Sequence, residues 1–157
     1  MTPAEPGQSV SLRPATDADL PDAADVLITS RRAAEATGAI PRGRHPPAQV
    51  HAWFGRMVTV RDIWVAAAGD QVVGVLMLDD EWLDQLYVLP DRAGNGIGSM
   101  LLDLAKALRP EGFGLWCFAT NAAARQFYRS RGLLEVRFTD GADNEEHAAD
   151  VQYAWKP

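Results

Sequence analysis

The chain has 157 residues, 47% of them apolar and 23% charged, with a formal net charge of −6. That length suits one domain able to bury roughly two-thirds of its unfolded surface, and the negative balance argues against a nucleic-acid surface. No apolar run approaches the ~18 residues of a membrane-spanning helix, and the opening Met-Thr-Pro-Ala-Glu-Pro-Gly lacks the basic-then-apolar layout of a signal peptide. A single domain over residues 1–157 is therefore expected, cytoplasmic, with residues 1–7 flexible. The lone Cys117 excludes an internal disulfide, and His45, His51 and His147 are too scattered for a metal site.

Residues 8–14 read as a first strand. Thr16 to Asp19 then resemble a capping box with Asp in the place of Glu or Gln, and Leu20, Ala24, Leu27 and Ala34 continue as a helical stripe. Residues 37–47 are rich in Gly and Pro and read as a surface loop, after which Val50, Trp53, Phe54 and Met57 fall at helical spacing. Three strands follow, 63–68, 72–78 and 82–88, separated by short turns that suit antiparallel hairpins.

The third strand runs into a loop holding Gly94, Gly96 and Gly98, and a helix with Leu101, Leu104, Ala105 and Leu108 on one face follows until 109–112. A strand over 113–118, a helix over 121–131 stopped by Gly132, a strand over 133–138, an acidic loop over 139–149 and a strand over 151–155 complete the chain. The order predicts an α/β fold of the α+β type: a mixed, mostly antiparallel sheet of about seven strands flanked by about four helices.

The glycine loop carries the chemistry. Three glycines at alternate positions let successive backbone N–H groups converge, and the following helix adds its own unpaired N–H groups and partial positive charge, so the segment suits a phosphate. A P-loop would need a Lys where Ile97-Gly98-Ser99 has none, and a dinucleotide fingerprint would need glycine at Ser99 and a carboxylate within Leu115 to Thr120. A helix that uses its glycines only for a tight turn is the plain alternative.

Two motifs carry a resemblance. Ala93-Gly94-Asn95-Gly96-Ile97-Gly98 is similar to the Arg/Gln-x-x-Gly-x-Gly/Ala signature of the GNAT N-acetyltransferase superfamily, with both fixed glycines present and Ala93 in place of Arg/Gln. Asn121, Ala124, Phe127, Tyr128 and Gly132 reproduce that family's Asn-x-x-Ala-x-x-Phe-Tyr-x-x-x-Gly pattern. The resemblance implies an acetyl-CoA-dependent transferase that moves an acetyl group to a primary amine of a small molecule, peptide or protein by direct attack in a ternary complex. An acyl-CoA-binding module without turnover is the alternative.

On that resemblance, Ala93, Gly94, Asn95, Gly96, Ile97, Gly98 and Ser99 would hold the CoA pyrophosphate. The backbone of Leu86, Tyr87 and Val88 would pair with the pantetheine arm, with the Val88 N–H polarising the thioester. Tyr128 matches the family's general acid, Asn121 a position that holds pantetheine, and Asp84 the strand position of the base, acting through water. Arg92, Arg125 and Arg129 are further candidates for phosphate contacts. Asn121 as a mere helix cap, Tyr128 as a core aromatic and Asp84 as an ordinary strand carboxylate are the competing readings. Glu145 and Glu146, with Asp79 to Glu81, suggest an acceptor mouth that favours a cationic amine. The loops 37–49 and 139–150 are expected to set the acceptor, and the protein to be a monomer or homodimer.

Overall fold

The computed structural model describes residues 9–157, so the flexible segment expected over 1–7 lies outside the described residues. Strand β1 (Val10–Pro14) leads through a 3₁₀ turn at Asp17–Asp19 into α1 (Leu20–Ala36). The predicted capping box forms: the Asp19 carboxylate accepts from the Thr16 backbone N–H at 2.8 Å, and Arg13 grips the same carboxylate with two guanidinium nitrogens. After α2 (Pro47–Met57) come β2 (Asp62–Ala68), β3 (Gln71–Leu78) and β4 (Leu83–Val88). Helix α3 (Ile97–Leu108), β5 (Phe113–Phe118), α4 (Ala122–Ser130), β6 (Leu134–Thr139) and β7 (Asp150–Trp155) follow.

Among the described residues, seven strands and four helices match the expectation, but the strands form two antiparallel sheets, β1-β2-β3-β4 and β5-β7-β6, in place of one mixed sheet. Among the described residues the two are bridged where β4 and β5 begin. A parallel bridge pairs Trp82 with Gly114, whose N–H donates to the Glu81 carbonyl at 2.9 Å. Gly114 is needed there, since a Cβ on it would lie 2.8 Å from the Trp82 ring. Beyond this bridge β4 pairs with β3 and β5 with β7, so the facing edges of β4 and β5 part.

Strand β3 is buried on both faces, and its alternation builds two cores. Val73, Leu76 and Leu78 join Leu101, Leu102 and Ala105 of α3, while Val72, Val75 and Met77 pack with Ala23, Val26 and Leu27 of α1 and Phe54 of α2. Helices α1 and α2 therefore cover one face, α3 and α4 the other.

Candidate active site

Where the sheets part, β4 turns one edge outward. The Leu89 N–H donates to the Val73 carbonyl at 2.9 Å, and antiparallel alternation then directs Gln85 and Tyr87 toward β3 and the N–H and C=O of Leu86 and Val88 toward the parted edge. The Val88 carbonyl is held there by the Ser30 hydroxyl of α1 at 2.9 Å. The Val88 N–H shares that edge and points toward the gap.

The glycine loop closes the gap at one end. Gly94 and Gly96 both have φ of 82°, a left-handed conformation that side chains disfavour, and Gly96 is the N-cap of α3. The first intrahelical bond is made by the Met100 N–H to the Gly96 carbonyl, which leaves the N–H groups of Ile97, Gly98 and Ser99 as the exposed donors of the helix start. Gly98 has another reason to be bare. A Cβ there would touch the Phe127 ring at 3.4 Å, so α4 is seated against the first turn of α3.

That seating delivers a cation. Arg131 stacks 4.1 Å over the Phe127 ring and donates from Nε to the Ser99 hydroxyl at 2.8 Å, which sets a guanidinium at the helix start. Ala93 supplies no charge to this loop; Arg131 does so from α4. The sequence reading missed it, although its place four residues after Phe127, on one helix face, is the signal that could have found it. Arg92, Arg125 and Arg129 are engaged elsewhere: Arg92 with Gln71 at 3.0 Å, Arg125 with Glu135 at 3.0 Å, and Arg129 with Glu135 at 3.8 Å.

Tyr128 projects from α4 into the same region and is only 9% exposed, its ring against Phe127 and Tyr153. Burial pushes its phenol well above the ordinary range, and the nearby ionisable groups Cys117 and Tyr87 act in the same direction. The hydroxyl thus keeps its proton at neutral pH. Cys117 is a buried thiol, raised by burial to about 11, which makes it a poor nucleophile. Asn121 caps α4, its side chain accepting from the Ala124 N–H at 3.3 Å.

Asp84 sits apart from these groups. Arg61 donates to its carboxylate from Nε at 2.6 Å, and Asp84 is the unpaired residue of a β-bulge between Leu83, which pairs with Leu78, and the regular run that contains Gln85 and Tyr87. Those two residues face α1 and α2, where Gln85, Leu27 and Trp53 wall a cavity of about 700 Å³. Both loops expected to set the acceptor reach it, Gly43 to His45 from one side and Glu145 and Glu146 from the other, joined by a His45–Glu145 contact of 2.9 Å. Among the described residues no group of His, Cys, Asp and Glu forms a metal site, and no helix is long and apolar enough to cross a membrane.

Comparison with known proteins places this architecture. Residues 60–132 match the model of the acetyltransferase (GNAT) domain. Over 72 residues the chain is 38% identical to the peptidyl-lysine N-acetyltransferase YjaB of Salmonella typhimurium, covering 45% of this chain and 49% of that protein. The match thus spans about half the length of that curated relative. The GCN5-related N-acetyltransferase of Rhodopseudomonas palustris superposes with a TM-score of 0.79 at 20% identity, over 98% of this chain and 100% of that one. The PaiA N-acetyltransferase of Thermoplasma acidophilum, solved in complex with coenzyme A, superposes with a TM-score of 0.69 at 17% identity, over 95% of this chain and 99% of that one. The fold is that of the GNAT acetyltransferases. Residues 60–132 carry the match to the acetyltransferase (GNAT) domain, and the architecture shared with these structures extends along the described length.

Proposed function

We propose that the protein is an acetyl-CoA-dependent N-acetyltransferase that acts on a primary amine by direct attack. The observation that carries the reading is the parting of β4 from β5 with three elements around the gap: the outward edge of Leu86 and Val88, the glycine-rich start of α3, and the buried, protonated Tyr128. The name of the Salmonella relative gives peptidyl-lysine as its acceptor, and the Thermoplasma neighbour was solved with coenzyme A, which agrees with the class of both substrates.

The residues fit acetyl-CoA. Residues 93–99 offer an N–H cradle with no side-chain bulk at its glycines, and Arg131 adds the positive charge suited to a pyrophosphate. Leu86 and Val88 can pair with the pantetheine amides as an added strand does, with Asn121 at the opposite wall. When bound, acetyl-CoA supplies the thioester whose acetyl group is transferred. The Val88 N–H polarises the carbonyl and holds the negative charge that develops on its oxygen. Tyr128 donates its proton to the sulfur as the C–S bond breaks, while the amine nitrogen forms the new C–N bond and loses a proton. Asp84, held by Arg61 at the bulge of β4, can take that proton through a water relay.

The test is thermal stability with acetyl-CoA, CoA, NAD and ATP added separately. At about a hundred times the dissociation constant a true ligand contributes on the order of 2.7 kcal/mol. Acetyl-CoA and CoA are expected to raise Tm, and NAD and ATP to leave it unchanged. The absence of a shift with the CoA ligands would overturn the reading.

A further inference from the structure

We infer that the acceptor is a small amino-acid-type molecule, a primary amine carrying a carboxylate a few bonds away, bound in the cavity between α1, α2 and β4 with its carboxylate on Arg31. This rests on the acetyl-transfer reading and narrows its acceptor. Four arginines line the cavity, Arg31 and Arg32 from α1, Arg44 from the loop and Arg56 from α2, against Glu35, Glu145 and Glu146. Two of those acids are already engaged. Glu35 accepts from the Gly43 N–H at 2.9 Å and Glu145 pairs with His45 at 2.9 Å. In a chain of net charge −6 the cavity carries a formal excess of one positive charge, with the Glu145 and Glu146 that the sequence placed at the acceptor mouth among its lining.

Position selects Arg31. It is half-buried, and its Nη1 lies 3.4 Å from the Tyr87 hydroxyl. Tyr87 adjoins Val88 in β4, so the guanidinium stands one tyrosine side chain away from the strand segment where the acetyl group is to be presented. Arginine offers a planar fork that matches a carboxylate with two parallel hydrogen bonds, and anchoring the acid there leaves the neighbouring amine at β4. A polyamine, or a lysine side chain with no acid nearby, would bring only positive charge beside Arg31 and leave its guanidinium without an anion. A volume of about 700 Å³ suits a small molecule.

The experiment measures CoA release by the full chain with acetyl-CoA and a panel of acceptors: the free amino acids, their amides and methyl esters, a lysine peptide with blocked termini, and spermidine. The expected result is turnover of at least one free amino acid, with kcat/KM at least tenfold lower for its amide. Arg31→Gln should raise KM for that amino acid tenfold or more with little change in kcat, Arg31→Lys should recover part of the loss, and both should bind acetyl-CoA as wild type does. Equal rates for acid and amide, a preference for the blocked peptide or spermidine, or failure to acetylate any carboxylated amine while acetyl-CoA still raises Tm would overturn the inference. Loss of that Tm shift in the wild type would instead overturn the acetyl-transfer reading beneath it.

Discussion

Arg131 donates to the Ser99 hydroxyl at 2.8 Å, tying the end of α4 to the first turn of α3 and holding a guanidinium at the helix start where Ala93 offers no charge. Charged hydrogen bonds of this kind are worth about 1.5–3 kcal/mol. Arg131→Ala is therefore expected to weaken CoA binding by about tenfold or more, and Arg131→Lys, which keeps the charge but loses the fork and the stacking on Phe127, to fall between. Titration calorimetry with CoA checks this; unchanged affinity in both variants would remove Arg131 from the site.

Asp84 is the residue whose role a single substitution separates most clearly. If its carboxylate relays the amine proton, Asp84→Asn lowers kcat about 10²-fold or more. If the Arg61 pair is its whole purpose, the variant loses stability, with kcat intact. Measuring Tm and kcat on the same preparation distinguishes the two.

The Arg13 guanidinium holds the Asp19 carboxyl well below the usual carboxylate range, with the Thr16 N–H acting in the same direction against the cost of burial. Because the folded state lowers this pKa, the stabilisation is complete above the ordinary carboxylate pKa of about 4 and is lost as pH falls toward the lowered value. Asp19→Asn should cost about 1–3 kcal/mol at pH 7, and the gap from wild type should narrow below about pH 4. Urea unfolding across that range measures it.

The bridge that joins the two sheets depends on a bare backbone. Gly114→Val would drive a side chain into Trp82, which stacks on Trp116 with ring centroids 6.3 Å apart. An overpacking cost of about 1–3 kcal/mol is expected, together with weaker CoA binding, because the bridge sets where the strands part. A variant with wild-type Tm would show that Trp82 moves aside freely.

The elements were legible because their patterns are local. Continuous apolar runs separated by short turns marked β2 and β3, the stripe of Leu101, Leu104, Ala105 and Leu108 marked α3, and Thr16–Asp19 marked the start of α1, each decided by neighbours a few residues apart. The division of seven strands into two sheets was not legible, since it turns on one contact between Trp82 and Gly114, thirty-two positions apart, and on how far β4 and β5 diverge beyond it. The same limit governed the site. Gly94, Gly96 and Tyr128 announced themselves through motifs, whereas Arg131 matters because two helices pack together, and the cavity's positive charge arises from arginines spread over 31–56. Asp84 read as a base by position along β4, but its partner Arg61 comes from the segment before β2.

The central claim, acetyl transfer with Tyr128 as the proton donor, is tested most directly by comparing wild type and Tyr128→Phe for CoA release and for CoA affinity on the same preparations. The account predicts turnover in the wild type, a kcat lower by about 10²-fold or more in the variant, and nearly equal dissociation constants for CoA. Turnover undiminished in Tyr128→Phe, or tight CoA binding by a wild-type protein that acetylates no amine offered to it, would contradict that account.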